Sequence, residues 1–221
     1  MNMRVLFPAA FVFVLATAAF SQSLPLAAPV VPEADGVYQL RYLANLNQGD
    51  SYVNITNAGT LNGFAPAGNL CANVYTFDPA EELISCCACA ITPNGLVSLS
   101  ARNDLISNTL TPGVPTSITV KLLSSLTLPN GGTSLCNPSS PTAINLVRGM
   151  RAWATTLHRN TAGSPPPVNP FQLTETEFSK VELSLTELTK LTSFCGFIQA
   201  NGSGFGICKS CRFGALGGEQ K

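Results

Sequence analysis

The chain has 221 residues, of which 45% are hydrophobic and only 11% charged, with twelve lysines and arginines against twelve acids. A length of this order fits one domain or two small ones, and so low a charge content disfavours long disorder and a solvated coiled coil. The balanced charge removes any bulk electrostatic case for nucleic-acid binding, and a single histidine starves most acid–base and metal chemistry.

Residues 1–21 read as a secretory signal peptide. Arg4 supplies the basic start, the run VLFPAAFVFVLATAA follows, and Ala19-Phe20-Ser21 places small residues at the −3 and −1 positions before Gln22. The run is shorter than the ~20 residues of a membrane-spanning helix. No cysteine sits directly after the cleavage point, so a lipidated N-terminus is not indicated, and no later stretch is long and apolar enough to span a membrane. The expected location is therefore secreted, periplasmic or at the cell surface.

Residues 22–36 are rich in Pro and Ala and read as an extended lead-in. From residue 37 the pattern changes to short runs separated by turn residues, frequent Gly and Pro marking the breaks. Tyr38, Leu40 and Tyr42 alternate along one face; Val53 and Ile55 do the same after the Gly49-Asp50 turn. A strand is predicted over 70–77, broken by Asp78-Pro79. The unalternating run LISCCACAI over 83–91 fits a strand covered on both faces. Thr92-Pro93-Asn94-Gly95 then predicts a hairpin into a strand over 96–100. Ile118, Val120 and Leu122 point inward from a strand over 116–123, and 144–159 is read as one long strand.

The run GSPPPVNP over 163–170 is a candidate boundary or a stiff loop within one sandwich. In 171–221, Val181, Leu183 and Leu185 alternate, and the period then becomes helical. Ser184 and Glu187 form a capping box; Leu185, Leu188, Leu191, Phe194, Cys195 and Ile198 make an apolar stripe, and Asn201-Gly202 stops the helix. The expected fold is mainly β: a disulfide-braced β-sandwich with its body over 37–162 and one C-terminal amphipathic helix packed on it, from short strands at regular spacing.

Eight cysteines, all beyond the leader, carry the sharpest local signal: Cys71, Cys86, Cys87, Cys89, Cys136, Cys195, Cys208 and Cys211. In an oxidising compartment an even set reads first as disulfides, with 105 possible pairings. Two rivals stay open: a zinc site drawing thiolates from the 86–89 and 208–211 clusters, and a redox dithiol at Cys208-Lys209-Ser210-Cys211. The first lacks matched C-x-x-C pairs, the second a following helix to lower a thiol pKa. If 83–91 is a strand, Cys86 and Cys87 face opposite layers and Cys89 shares the face of Cys87. Cys195 lies in the apolar stripe, so its bond would staple the helix to the sheet.

Catalytic constellations are thin. No G-x-S-x-G elbow frames a serine for His158, which reads as a surface residue. Glu81-Glu82 diverge as neighbours, Glu175 and Glu177 read as solvated, and no calcium loop is present. Arg148, Arg151, Arg159 and His158 gather positive charge around Trp153, a weak candidate site for a glycan or anionic surface. Such a site is favoured if Trp153 shares one open face with two or more of Tyr38, Tyr42, Tyr52 and Tyr75. Sequons at Asn54-Ile55-Thr56 and Asn201-Gly202-Ser203 are short enough to arise by chance.

The stretch 52–125 (YVNITNAG…GNLCANVYTFDPAEELISCCAC…TPNGLVSLSARNDLISNTLTPGVPTSITVKLLSS) and the tail 187–211 (ELTKLTSFCGFIQANGSGFGICKSC) resemble a family of small secreted acidobacterial proteins with no assigned activity. The resemblance implies a secreted, cysteine-containing protein and transfers no functional residues. The expected function is a non-catalytic structural, adhesion or surface-interaction protein with no cofactor, meeting cell-surface or extracellular-matrix components. The alternatives are an extracellular glycan- or small-ligand-binding module and a thiol-redox or zinc protein.

Overall fold

The computed structural model describes residues 36–60, 68–106, 111, 113–130, 133–159, 171–202 and 206–212. The leader, most of the lead-in and the Pro-rich run 163–170 lie outside the described residues.

The fold is mainly β. A six-stranded sheet has the order β11-β1-β6-β3-β4-β12, and a four-stranded sheet has the order β10-β9-β2-β5. The larger holds β1 (Tyr38–Leu43), β3 (Leu70–Phe77), β4 (Leu83–Ile91), β6 (Ile118–Leu126), β11 (Ser179–Lys180) and β12 (Gly206–Ile207). The smaller holds β2 (Tyr52–Asn57), β5 (Leu96–Ser100), β9 (Met150–Arg159) and β10 (Phe171–Glu177). A small hairpin of β7 (Leu128–Asn130) and β8 (Thr133–Leu135) stands apart from both sheets. Helix α1 (Leu185–Ala200) and a single turn, α2 (Lys209–Arg212), complete the C-terminal part.

The sheets face each other across one apolar core. Ile118, Val120 and Leu122 of β6 pack there with Val53 and Ile55 of β2 and with Val97 and Leu99 of β5. Strand pleating sends alternate residues to opposite faces, so the period of two in these runs becomes the inner layer directly. β3 and β4 lack that period because both their faces are covered, the inner by the smaller sheet and the outer by α1 and the segment around Cys136. Beneath α1, Leu188, Leu191 and Cys195 close over Tyr38, Tyr75, Cys86 and Leu123.

Three expectations about strands are corrected. The turn at 92–95 makes no hairpin: β4 pairs with β3 and β12, whereas β5 pairs with β2 in the other sheet. The turn instead carries the chain across the sandwich, with Asn94 at φ 62° and its N–H donating to the Asn57 carbonyl. The strand expected over 144–159 begins only at Met150, and Ile144 is 95% exposed. Val181 and Leu183 lie outside any strand, since only Ser179–Lys180 pairs with β1 before the chain turns into α1 at Leu185.

The stripe on α1 is also narrower than its sequence. Leu188, Leu191 and Cys195 are buried, but Leu185 and Phe194 are exposed. The cap forms on one side: Ser184 Oγ accepts the Glu187 N–H at 3.1 Å, while the Glu187 carboxylate turns to Lys121 Nζ at 2.6 Å and Tyr38 Oη at 3.2 Å. Asn201 caps the C-terminus, and Gly202 takes the positive φ of 78° that ends such helices.

Candidate functional site

All eight cysteines are bridged, as Cys71–Cys136, Cys86–Cys195, Cys87–Cys208 and Cys89–Cys211. Alternation along β4 explains the pattern. Cys86 points outward and holds α1, while Cys87 and Cys89 point inward and take the two cysteines of the 208–211 run. The clusters that a zinc reading draws together do meet, but as S–S bonds, and Cys208 and Cys211 bond different partners rather than each other. Among the described residues no three His, Cys, Asp or Glu side chains gather closely enough to hold a metal.

The tail bearing Cys208 and Cys211 has a second anchor that the sequence reading missed. Asp104 sits in a π-helical turn, Ala101–Leu105, and is 2% exposed. Its carboxylate accepts the Ser210 N–H at 2.7 Å, Ser210 Oγ–H at 2.8 Å and the Ser100 N–H at 2.8 Å. One turn away, Asp50 accepts the Ser100 hydroxyl, at 2.5 Å, and the Arg102 N–H at 3.0 Å. Both carboxylates are thus occupied in holding backbone and hydroxyl groups, an arrangement that ties the tail to the end of β5.

The two sheets differ on their outer sides. The larger is covered over β3 and β4 by α1 and the segment around Cys136, with Tyr42 of β1 left 58% exposed, whereas the outer face of the smaller is open, with Tyr52 44% and Leu173 65% exposed. Register composes this open face. Tyr52 lies opposite Thr155 and Asn54 opposite Trp153; Thr155 in turn faces Glu175, and Trp153 faces Glu177. Directly opposed residues share a face, so the two aromatic rings occupy one diagonal of a four-residue block and Asn54 and Thr155 the other.

A line of hydrogen bonds follows that second diagonal across all four strands. Ser98 Oγ donates to Asn54 Oδ1 at 2.7 Å, Asn54 Nδ2 donates to Thr155 Oγ1 at 3.1 Å, and Thr155 Oγ1 donates to Glu175 Oε1 at 3.4 Å. Where β10 leaves the smaller sheet for β11, a cleft of about 300 Å³ opens beside Trp153, with Gln39, Arg151, Glu175, Glu177 and Lys180 among its walls. The half-buried Trp153 and the exposed Arg151 therefore line one cleft.

Of the rest of the expected basic group, Arg148 and His158 do not join them, and the Arg159 side chain lies outside the described residues. Arg148 precedes β9, is exposed and lies outside the cleft lining. His158 falls on the opposite register from Trp153, and its Nε2 bonds Thr156 Oγ1 at 2.8 Å. Of the four tyrosines, only Tyr52 shares the Trp153 face, so the expected platform of Trp153 with two or more tyrosines does not form. Tyr38 and Tyr75 are buried beneath α1, and Tyr42 belongs to the larger sheet.

Burial pushes the Tyr38 phenol well above its ordinary range, with the Glu187 carboxylate and their hydrogen bond adding to the effect. Burial does the same to Tyr75, with Tyr38 as a further cause. Both rings are structural, and Tyr75 Oη donates to the Pro138 carbonyl at 2.6 Å. None of the described helices is long and apolar enough to cross a membrane. Searches of protein-family models, curated proteins and solved structures find no match to this chain.

Proposed function

We propose that this is an exported, non-catalytic surface-interaction protein whose working surface is the open face of the smaller sheet. Complete bridging of the cysteines carries the address, because four disulfides persist in oxidising compartments and are rare where thiols are kept reduced. The leader-like residues 1–21 and the resemblance to small secreted acidobacterial proteins agree with that address. The difference between the two outer faces supports the role: a stapled helix covers the middle of one and leaves Tyr42 exposed on β1, while the other is open with aromatic and hydrogen-bonding groups in register.

The test expresses the full chain from its own leader, fractionates the cells, and maps the product without reductant. Recovery outside the cytoplasm with Gln22 at the N-terminus and no alkylatable thiol is expected. Binding of that product to intact cell envelopes, lost on Thr155→Arg in the middle of the open face, completes the reading. A cytoplasmic product with free thiols, or envelope binding indifferent to Thr155→Arg, overturns it.

A ligand-binding module is the second reading. The cleft beside Trp153 favours it, since a concave site with a few convergent polar groups is the usual form of a small-ligand site.

A further inference from the structure

We propose that the cleft beside Trp153, together with the hydrogen-bonding line that leads to it, binds a neutral glycan chain. This rests on the open face of the smaller sheet being the working surface and names its ligand.

Charge is the first argument. The cleft is walled by two cations, Arg151 and Lys180, and two carboxylates, Glu175 and Glu177, so its formal charge is zero. An anionic ligand meets Glu175 and Glu177, and a cationic one meets Arg151 and Lys180; either leaves one pair facing a like charge. A polyol escapes this conflict because each hydroxyl both donates and accepts. Its hydroxyls donate hydrogen bonds to the carboxylates and accept them from the guanidinium and ammonium within one ring. Charge-assisted hydrogen bonds of this kind are the stronger ones.

The aromatic groups are the second argument. A pyranose ring presents C–H faces as well as hydroxyl edges, and a ligand with both needs an apolar plate beside polar groups. Trp153 supplies that plate at the cleft. Tyr52, a diagonal neighbour in the sheet at about 7–8 Å by strand geometry, supplies a second one outside it.

The third argument is continuity. A small zwitterion also matches a cleft of balanced charge, but it ends where the cleft ends. Here the polar surface continues as the line Glu175, Thr155, Asn54 and Ser98, uncharged beyond its first member, with one aromatic ring on either side. Such a strip, open along its length, suits a chain of linked sugars with one ring seated in the cleft. At about 300 Å³ the cleft lies at the small end of ligand sites, so the strip provides the rest of the contact.

The chain contains one tryptophan, and its emission therefore reports on this site alone. The experiment titrates the leader-processed, disulfide-intact protein with soluble neutral polysaccharides (a β-glucan, a mannan and a xylan), with polygalacturonate, and with a glycine–glutamate dipeptide. Trp153 fluorescence and retardation in polysaccharide-containing native gels are the two readouts. At least one neutral polysaccharide is expected to retard the protein and shift the emission. Tyr52→Ala and Glu177→Gln, both at exposed positions, are expected to weaken binding at least about tenfold, the loss typical of a dominant contact. Tyr42→Ala, an exposed tyrosine of the larger sheet, leaves it unchanged.

Retardation that survives both Tyr52→Ala and Glu177→Gln overturns the proposal, as does a response only to polygalacturonate or only to the dipeptide. An envelope-binding arm separates the two readings. Envelope binding without response to any neutral polysaccharide overturns the glycan and leaves the surface role standing; no binding in either arm overturns both.

Discussion

Cys86 and Cys87, neighbours in β4, are bonded to opposite layers of the molecule: Cys86 to Cys195 on the helix outside the larger sheet, Cys87 to Cys208 in the tail on its inner side. A strand cannot send two consecutive side chains to the same side. One dipeptide thereby fixes both the helix and the C-terminal tail to the same strand. The two bonds close overlapping loops of similar length, with sequence separations of 109 and 121 residues.

Removing the Cys86–Cys195 bond as the double variant Cys86→Ala, Cys195→Ala is expected to cost about 2–4 kcal/mol, chiefly by freeing the unfolded chain. For a protein of this size that lowers Tm by roughly 5–15 °C. Leu188 and Leu191 still pack on Tyr75 and Leu123, so helical circular dichroism at low temperature should persist. A melting curve identical to that of the parent removes the staple from the account.

Asp104 predicts a different kind of loss. Its carboxylate is nearly inaccessible and accepts from Ser100 and Ser210. Asp104→Ala leaves these donors without their acceptor, at about 1–3 kcal/mol for each buried group not rescued by water. Because Cys208 and Cys211 stay bonded, the tail loosens without leaving. The expected result is a lower urea midpoint together with faster hydrogen exchange at the Ser210 amide; a lower midpoint with unchanged exchange there counts against the anchoring role.

Where the fold was legible, the reason is periodicity or burial that a single strand expresses by itself. The bounds of β3 and β4 match the runs 70–77 and 83–91, and the inward set Ile118, Val120 and Leu122 follows from alternation alone. The opposed directions of Cys86 and Cys87 follow in the same way. What escaped depends on pairing between distant segments. A tight turn after β4 looks the same whether the next strand returns beside it or crosses to the facing sheet, and only the partner, β2, decides. Tyr52 and Trp153 become neighbours through the β2–β9 register, which no local pattern announces. Asn57, Asp104 and Gln39 are single buried polar residues, and an isolated polar residue in a sequence carries no sign that it will be enclosed.

The two buried phenols give a pH prediction. Tyr38 and Tyr75 are raised above their ordinary value near 10 by burial, so between that value and the higher folded one the native state holds protons that the unfolded state has released. Stability from these groups is therefore fully present below about pH 10 and falls above it, at about 1.4 kcal/mol per pH unit for each phenol. Urea midpoints across pH 8–11 should be level at first and then descend. Tyr75→Phe should lessen the descent, since one of the two groups is gone, after a constant loss of about 1 kcal/mol for its hydrogen bond to Pro138. An equally steep descent in that variant assigns the effect elsewhere.

Helix α1 offers a smaller, sharper test. Ser184 Oγ accepts the Glu187 N–H, and Ser184→Ala removes that cap at a cost of about 1 kcal/mol. Ser184→Asp keeps an acceptor at the same place and should restore stability, aided by its charge at the positive end of the helix. Failure of Ser184→Asp to recover what Ser184→Ala loses shows that the contact in the structure is not what holds the first turn.

The last prediction concerns the corner that shapes the cleft. Gln39 is 2% exposed, and its Nε2 donates at 3.1 Å both to the Gly36 carbonyl and to the Met150 carbonyl, joining the first strand of the larger sheet to β9 of the smaller. Gly36 has φ 83°, and a Cβ placed on it would overlap the Met150 carbonyl oxygen. Gly36→Ala thus meets both an unfavourable backbone conformation and a backbone obstacle that no side-chain rotation can relieve. Gln39→Ala instead removes the donor and leaves two carbonyls unpaired, at about 1–3 kcal/mol each if water does not reach them. Since Gln39 and Trp153 line the same cleft, either change should also move the emission of the single tryptophan. Loss of stability with Trp153 emission unmoved in both variants would mean that the corner bears on the core alone and does not set the shape of the cleft.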